Sequence, residues 1–130
     1  MRKLKLGISS CPNDTFMFAH FIKEVENELY IEDIETLNKM AMEELSDVTK
    51  LSYHTWLKLS DKYNLLRNGG ALGENCGPLI VSKYKAYPDE IKDMKIAIPG
   101  EMTTANLLLD IFYPDVKSKS VLVFSDIEEA

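Results

Sequence analysis

Cysteine is scarce in this 130-residue chain: Cys11 and Cys76 are all there is. Neither has a second Cys or a His at metal-ligand spacing, which argues against a zinc site, and two widely separated thiols suit a reducing compartment. Long apolar runs are absent as well. Nothing approaches the ~20 residues of a membrane span, and the N-terminal MRKLKLGISSCPND is basic without the apolar stretch of a signal peptide. The location expected from these absences is cytoplasmic, with no membrane partner. Basic residues are outnumbered, 15 against 21 acids, for a net charge of −6. Nine of the acids crowd residues 24–47, where only Lys23 and Lys39 offset them. No basic stripe exists to displace counterions from a phosphate backbone, so nucleic acid is excluded as a partner and the acidic stretch reads as a solvated face. Internal repeats and low-complexity tracts are also missing.

What is present is globular: 45% hydrophobic and 28% charged residues, in a length that suits one domain or part of a larger one. LKLGI alternates apolar and polar side chains as a strand does. A helix follows from about Asp14, with Met17, Phe18, Phe21 and Ile22 as its apolar stripe. ELYIE is a second strand. Asp33 caps a helix carrying Ile34, Leu37, Met40, Ala41 and Leu45 at helical spacing, with Met40 and Met42 as core filler. DVTKLS (47–52) is a third strand, leading into a short helix around YHTWLKLS. After the extended YNLLRN and a glycine-dense turn at 69–77, PLIVSK (78–83) is a further strand. The alternation predicts an α/β fold with a largely parallel sheet.

The polar KYKAYPDEIKDM then divides the chain. Residues 1–83 are expected to form one nearly complete lobe, 84–92 a hinge, and 93–130 the beginning of a second lobe. In that part KIAIPG is a strand, EMTTANLLLDIFYP a threonine-capped helix stopped by Pro114, and SVLVFS (120–125) a buried apolar strand. Ser125 and Glu128 have capping-box spacing, so SDIEEA should open a helix of which only the first turn is present. The second lobe is expected to be truncated there.

In parallel sheets ligands bind beyond the carboxyl ends of the strands, where loops lead into helix N-termini. Three such junctions are rich in hydroxyls and amides: SSCPNDT, TKLSYHT and PGEMTTA. Taken singly they cap helices; three on one edge make a cleft for an oxygen-rich anion. Lys50 interrupts a buried-looking strand, where it would either pair with a carboxylate or turn to solvent at a sheet edge. His54 and His20 are read as packed or surface histidines, and Cys11 as a thiol at a helix start without a His partner. The glycines of 69–77 lack the Lys-Ser/Thr ending of a phosphate loop.

The segments CPNDTF, DVTKLSYHTW, SDKYNLLRNGGALGENCGPLIV and IAIPGEMTTANLLL closely resemble the 1,4-dihydroxy-6-naphthoate synthases of the futalosine route to menaquinone. The resemblance runs over most of the chain and is looser between Ala19 and Tyr30. It implies the two-lobed type II periplasmic-binding-protein fold in a cytoplasmic enzyme. The reaction implied is a lyase-type fragmentation of cyclic dehypoxanthinyl futalosine, a small-molecule carboxylate, with no metal or organic cofactor. It carries substrate binding onto Lys50, Leu51 and Ser52 of the KLS segment and onto Thr103 and Thr104, with SSCPNDT as the cleft floor and Asn13 as its direct contact. The family's histidine segment of the IIHE type has no match in this chain, so no catalytic residue is assigned. By itself the chain is expected to lack synthase activity and to associate with another copy or with a missing C-terminal portion. Two other readings stand beside this one. Chorismate dehydratase is opposed by the KLS and PGEMTT motifs. A plain solute-binding module would use the same cleft without chemistry.

Overall fold

The computed structural model describes residues 2–70 and 73–129. Strand β1 (Leu4–Ile8) lies at the centre of a three-stranded parallel sheet of order β2-β1-β3 and buries Leu6, Gly7 and Ile8. Helix α1 (Pro12–Glu24) begins two residues before the position expected from the sequence. Pro12 has no N–H to leave unbonded and its fixed φ suits a first turn. The stripe Met17, Phe18, Phe21 and Ile22 is only half-buried, and the residue α1 buries completely is Asp14.

Strand β2 (Asn27–Ile31) pairs with β1 in the register Leu6↔Leu29 and Ile8↔Ile31. Helix α2 (Ile34–Met42) starts as expected: the Asp33 carboxylate accepts the N–H groups of Glu35 at 2.9 Å and Thr36 at 3.2 Å. Its inner face carries Leu37 and Ala41, and also Glu35 and Asn38. Gly7 lets this helix and the third strand close on β1. A Cβ there would stand 2.6 Å from Thr49 Oγ1 and 2.8 Å from Leu37 Cδ2.

Strand β3 is Val48–Thr49, shorter than the 47–52 read from sequence. One more ladder bond follows, Lys50 N–H to the Gly7 carbonyl at 2.9 Å. The Ser52 N–H is then taken by Asn38 Oδ1 at 3.0 Å, which turns the chain out of the sheet and into helix α3 (Tyr53–Lys58). PLIVSK, expected as a strand, is not one. Among the described residues no strand edge meets it, and Leu79 and Val81 are 81% and 70% exposed. Of the glycine-dense stretch, Ala71 and Leu72 lie outside the described residues.

A second, two-stranded parallel sheet follows a 3₁₀ turn at Ile91–Asp93. Strand β4 (Lys95–Ile98) leads to α4 (Thr104–Phe112), whose first turn is capped by Thr103 Oγ1 accepting the Asn106 N–H at 3.3 Å. Strand β5 (Ser118–Val121) pairs Lys95↔Ser118 through Ile98↔Val121. The expected buried strand at 120–125 is thus displaced toward the N-terminus, and Val121, Val123 and Phe124 are 48–71% exposed, because no described layer covers that face of a two-stranded sheet. The chain then forms a 3₁₀ segment, Phe124–Glu129. The Ser125 hydroxyl donates to Asp126 Oδ1 at 2.8 Å instead of capping, and the Glu128 side chain and Ala130 lie outside what is described. The fold class is mixed α/β with parallel sheets, as the alternation predicted.

Candidate functional site

Because β1 and β3 run parallel, their carboxyl ends open on one edge, where the loops at 9–11 and 50–52 stand side by side. The loop after β4, residues 99–103, meets this edge through α2 and α3. Ser9, Lys50, Leu51, Ser52, Thr104 and Phe124 all line one open cleft of about 1770 Å³. That exceeds the roughly 300–1,000 Å³ of a closed small-ligand pocket, so the cleft is a broad face.

The charge at this edge is arranged in depth. Lys50 Nζ forms an ion pair with Asp14 Oδ1, and the other Asp14 oxygen accepts the Ser9 N–H at 3.1 Å and the Ser9 O–H at 2.6 Å. Asp14 is wholly buried, whereas 29% of the Lys50 side chain is exposed. Burial pushes the Asp14 carboxyl up, but the hydrogen bonds from Lys50 and Ser9 and the Lys50 charge outweigh it and hold the group below its ordinary 3.8. The result is an ammonium at the cleft with a fixed counter-ion beneath it. Asp14 opens the row Asp14, Met17, Phe18 and Phe21, the i, i+3, i+4, i+7 pattern of an inward face, and that spacing is the signal by which the sequence could have disclosed it. Asn13, one residue earlier, is exposed and lies off the cleft lining.

The remaining candidates occupy distinct places. Ser52 Oγ accepts from Asn38 Nδ2 at 3.1 Å. The Thr103 side chain is buried: its hydroxyl donates to the Gly100 carbonyl at 2.7 Å and caps α4, leaving Thr104 as the threonine on the cleft. His54 Nδ1 lies 3.2 Å from the Thr103 carbonyl. A carbonyl only accepts, so Nδ1 carries the proton, and His54 orients the threonine loop and is not among the cleft-lining residues. His20 is exposed on the cleft rim, and Cys11 lines the cleft at the cap of α1. Among the described residues no group of three or more His, Cys, Asp and Glu is placed to hold a metal ion. No described helix is long and apolar enough to cross a membrane.

These features define an open α/β protein in which residues at the strand ends of two parallel sheets line one broad cleft. The family described as menaquinone biosynthesis matches residues 4–130, and the chain belongs to that family. It is 41% identical over 117 residues to the 1,4-dihydroxy-6-naphthoate synthase of Thermus thermophilus, covering 86% of this chain and 42% of that protein. With the enzyme of the same name from Streptomyces coelicolor the identity is 38% over 117 residues, covering 86% and 41% respectively. The crystal structure of protein AF1704 from Archaeoglobus fulgidus superposes with a TM-score of 0.87 at 34% identity, covering 98% of this chain and 49% of that one. The chain therefore spans about two fifths of the length of the curated relatives it matches.

Proposed function

We propose that this chain carries a substrate-binding face of a 1,4-dihydroxy-6-naphthoate synthase, acting on cyclic dehypoxanthinyl futalosine in the cytoplasm. The fold would be the two-lobed periplasmic-binding type, with lobes at 1–83 and 93–130 and a hinge at 84–92. The observation that carries the proposal is that Lys50 and Ser52 from the first sheet and Thr104 from beside the second line the same cleft, in a chain of the menaquinone-biosynthesis family.

Lys50 supplies the positive charge for a substrate carboxylate, and its pairing with buried Asp14 keeps it extended at the edge. Thr104, at the N-terminus of α4, offers a hydroxyl and the positive end of the helix dipole to the same anion. Leu51 gives the apolar wall. Thr103 acts by shaping the loop, since its hydroxyl is committed to Gly100 and Asn106. The reaction assigned is a lyase-type fragmentation, and no proton transfer is assigned to His20 or His54.

Titration calorimetry with cyclic dehypoxanthinyl futalosine tests this. The unsubstituted chain should bind it, and Lys50→Ala or Thr104→Ala should raise Kd about tenfold, the loss of a charge-assisted hydrogen bond. Equal affinity in all three chains would remove the assignment.

A further inference from the structure

Asn38 stands in the interior of α2, fully buried, at a position where helix propensity and burial both favour an apolar residue. A polar side chain kept at such a place is held by specific partners, and Asn38 has them on two separate loops. Its Oδ1 accepts the Ser52 N–H at 3.0 Å, while its Nδ2 donates toward Ser52 Oγ at 3.1 Å and the Met102 carbonyl at 3.4 Å. Ser52 ends the lysine loop, and Met102 precedes the two threonines. One amide thus reaches both the lysine loop on the cleft and the turn that leads into Thr104.

The surroundings support the same task. Both Glu35 carboxylate oxygens accept the Met102 N–H, at 3.3 and 3.2 Å, and Glu35 Oε2 is 3.4 Å from Asn38 Nδ2. The Thr55 hydroxyl donates to the Met102 carbonyl at 2.9 Å. Gly100 passes so close to Glu35 that a Cβ there would overlap the carboxylate. Met102 is therefore gripped at its N–H by α2 and at its carbonyl by α2 and α3.

We propose that Asn38 is a positioning residue that sets the lysine loop and the threonine loop in one register, so that Lys50 and Thr104 address a single carboxylate ligand together. The proposal rests on the assignment of those loops to substrate binding. Asn38 itself touches no substrate. Its effect is a coupling: ordering one loop orders the other through the shared amide.

The test has an arm that needs no ligand. Amide hydrogen exchange is measured by NMR in the full chain and in Asn38→Ala, Ser52→Ala and Leu37→Ala, the last being a core deletion on the same helix. Protection at Ser52 and at Met102 and Thr103 should fall together, at least tenfold in Asn38→Ala and by a smaller factor in Ser52→Ala. In Leu37→Ala it should fall only as far as global stability does. A loss confined to Ser52, or one that tracks global stability in every variant, overturns the coupling. Ser52→Ala keeps the question decidable should Asn38→Ala fail to fold, because it removes the side-chain bond between Ser52 and Asn38 while leaving the backbone bond in place. The second arm titrates cyclic dehypoxanthinyl futalosine into Lys50→Ala, Thr104→Ala and the double variant, each with and without Asn38→Ala. The two effects should be non-additive by threefold or more with Asn38 present and multiplicative without it. Additive effects in both backgrounds refute the proposal. If the unsubstituted chain does not bind the compound, the substrate assignment falls, while the exchange arm still decides the coupling.

Discussion

Replacing Lys50 with Met separates the two sides of the Asp14–Lys50 pair more sharply than any other substitution. Asp14 is fully buried and Lys50 is 29% exposed, so the two halves are not equivalent. Without the ammonium, Asp14 keeps only the Ser9 N–H and O–H as donors. Breaking a buried pair from one side costs about 3–5 kcal/mol. The surviving Ser9 bonds to a charged acceptor hold the loss to the lower end, about 3 kcal/mol. Asp14→Asn acts from the other side. It leaves an ammonium that can turn into the cleft and rehydrate, and its amide oxygen can still accept from Ser9, so the loss is about 1–2 kcal/mol. The double variant leaves no buried charge and should be no less stable than Lys50→Met alone, a clear departure from additivity.

Urea unfolding of the four chains at pH 7, followed by circular dichroism, gives this order directly. Acidification provides a second reading with a definite sign. The Asp14 carboxyl is held below 3.8 when folded, so its contribution is complete above that value and disappears as pH falls through the lowered one. In Lys50→Met the hydrogen bond and charge from Lys50 are gone while burial remains, so the carboxyl moves upward and protonates earlier. The stability gap between the two chains should therefore narrow on going from pH 7 toward pH 3. Additive losses, or a gap constant across that range, would refute the buried-pair account.

Three further outcomes follow from named contacts. Asp33→Ala removes the oxygen that accepts from Glu35 and Thr36 and should lower stability by about 1 kcal/mol, read as a shift in the urea midpoint. Gly100→Ala drives a Cβ into the Glu35 carboxylate and should cost about 1–3 kcal/mol; an unchanged midpoint would show that Glu35 yields. We also propose that the chain associates with a second copy through exposed apolar surface, where Ile111 and Phe112 are 60% and 71% exposed. Sedimentation should show concentration-dependent association that Ile111→Lys with Phe112→Lys abolishes, and a monomer at every concentration would count against it.

How far the fold could be read before the structure depends on whether a signal is local. The Asp33 cap and the Thr103 cap depend on residues within one turn, and each is where its motif places it; the start of α1 at Pro12 lies two residues before the one read from the sequence. Pairing is not local. PLIVSK has strand composition, yet Val81 is 70% exposed because a strand exists only where an edge receives it. The same holds for 120–125, whose apolar residues have no covering layer among the described residues. For the cleft, the placement of Ser9, of Lys50 and Ser52, and of Thr104 at three strand-end junctions is legible in the sequence, but their orientation is not. Thr103 and Thr104 are neighbours with equal chemistry, and the helix start turns one inward as a cap and leaves the other on the cleft.

Asp14 and Asn38 show what polar residues on inner helix faces can disclose. Asn38 sits four residues after Ile34 and three before Ala41, on the very face that the apolar spacing of α2 marks as buried. A sequence reading that scores only apolar matches passes over it, because its partners, Ser52 and Met102, lie 14 and 64 residues away. A polar residue that breaks an otherwise consistent apolar stripe is a conflict between local pattern and fold, and natural sequences keep such conflicts where function or a unique register requires them. In this chain both conflicts lie directly beneath the loops that face the cleft: Asp14 under Lys50, Asn38 under Ser52 and Met102. The inner faces of α1 and α2 thus do two things at once. Their apolar residues hold the helices to the sheet, and polar residues among them, Asp14 on α1 and Glu35 and Asn38 on α2, fix the side chains and backbone that a ligand would meet.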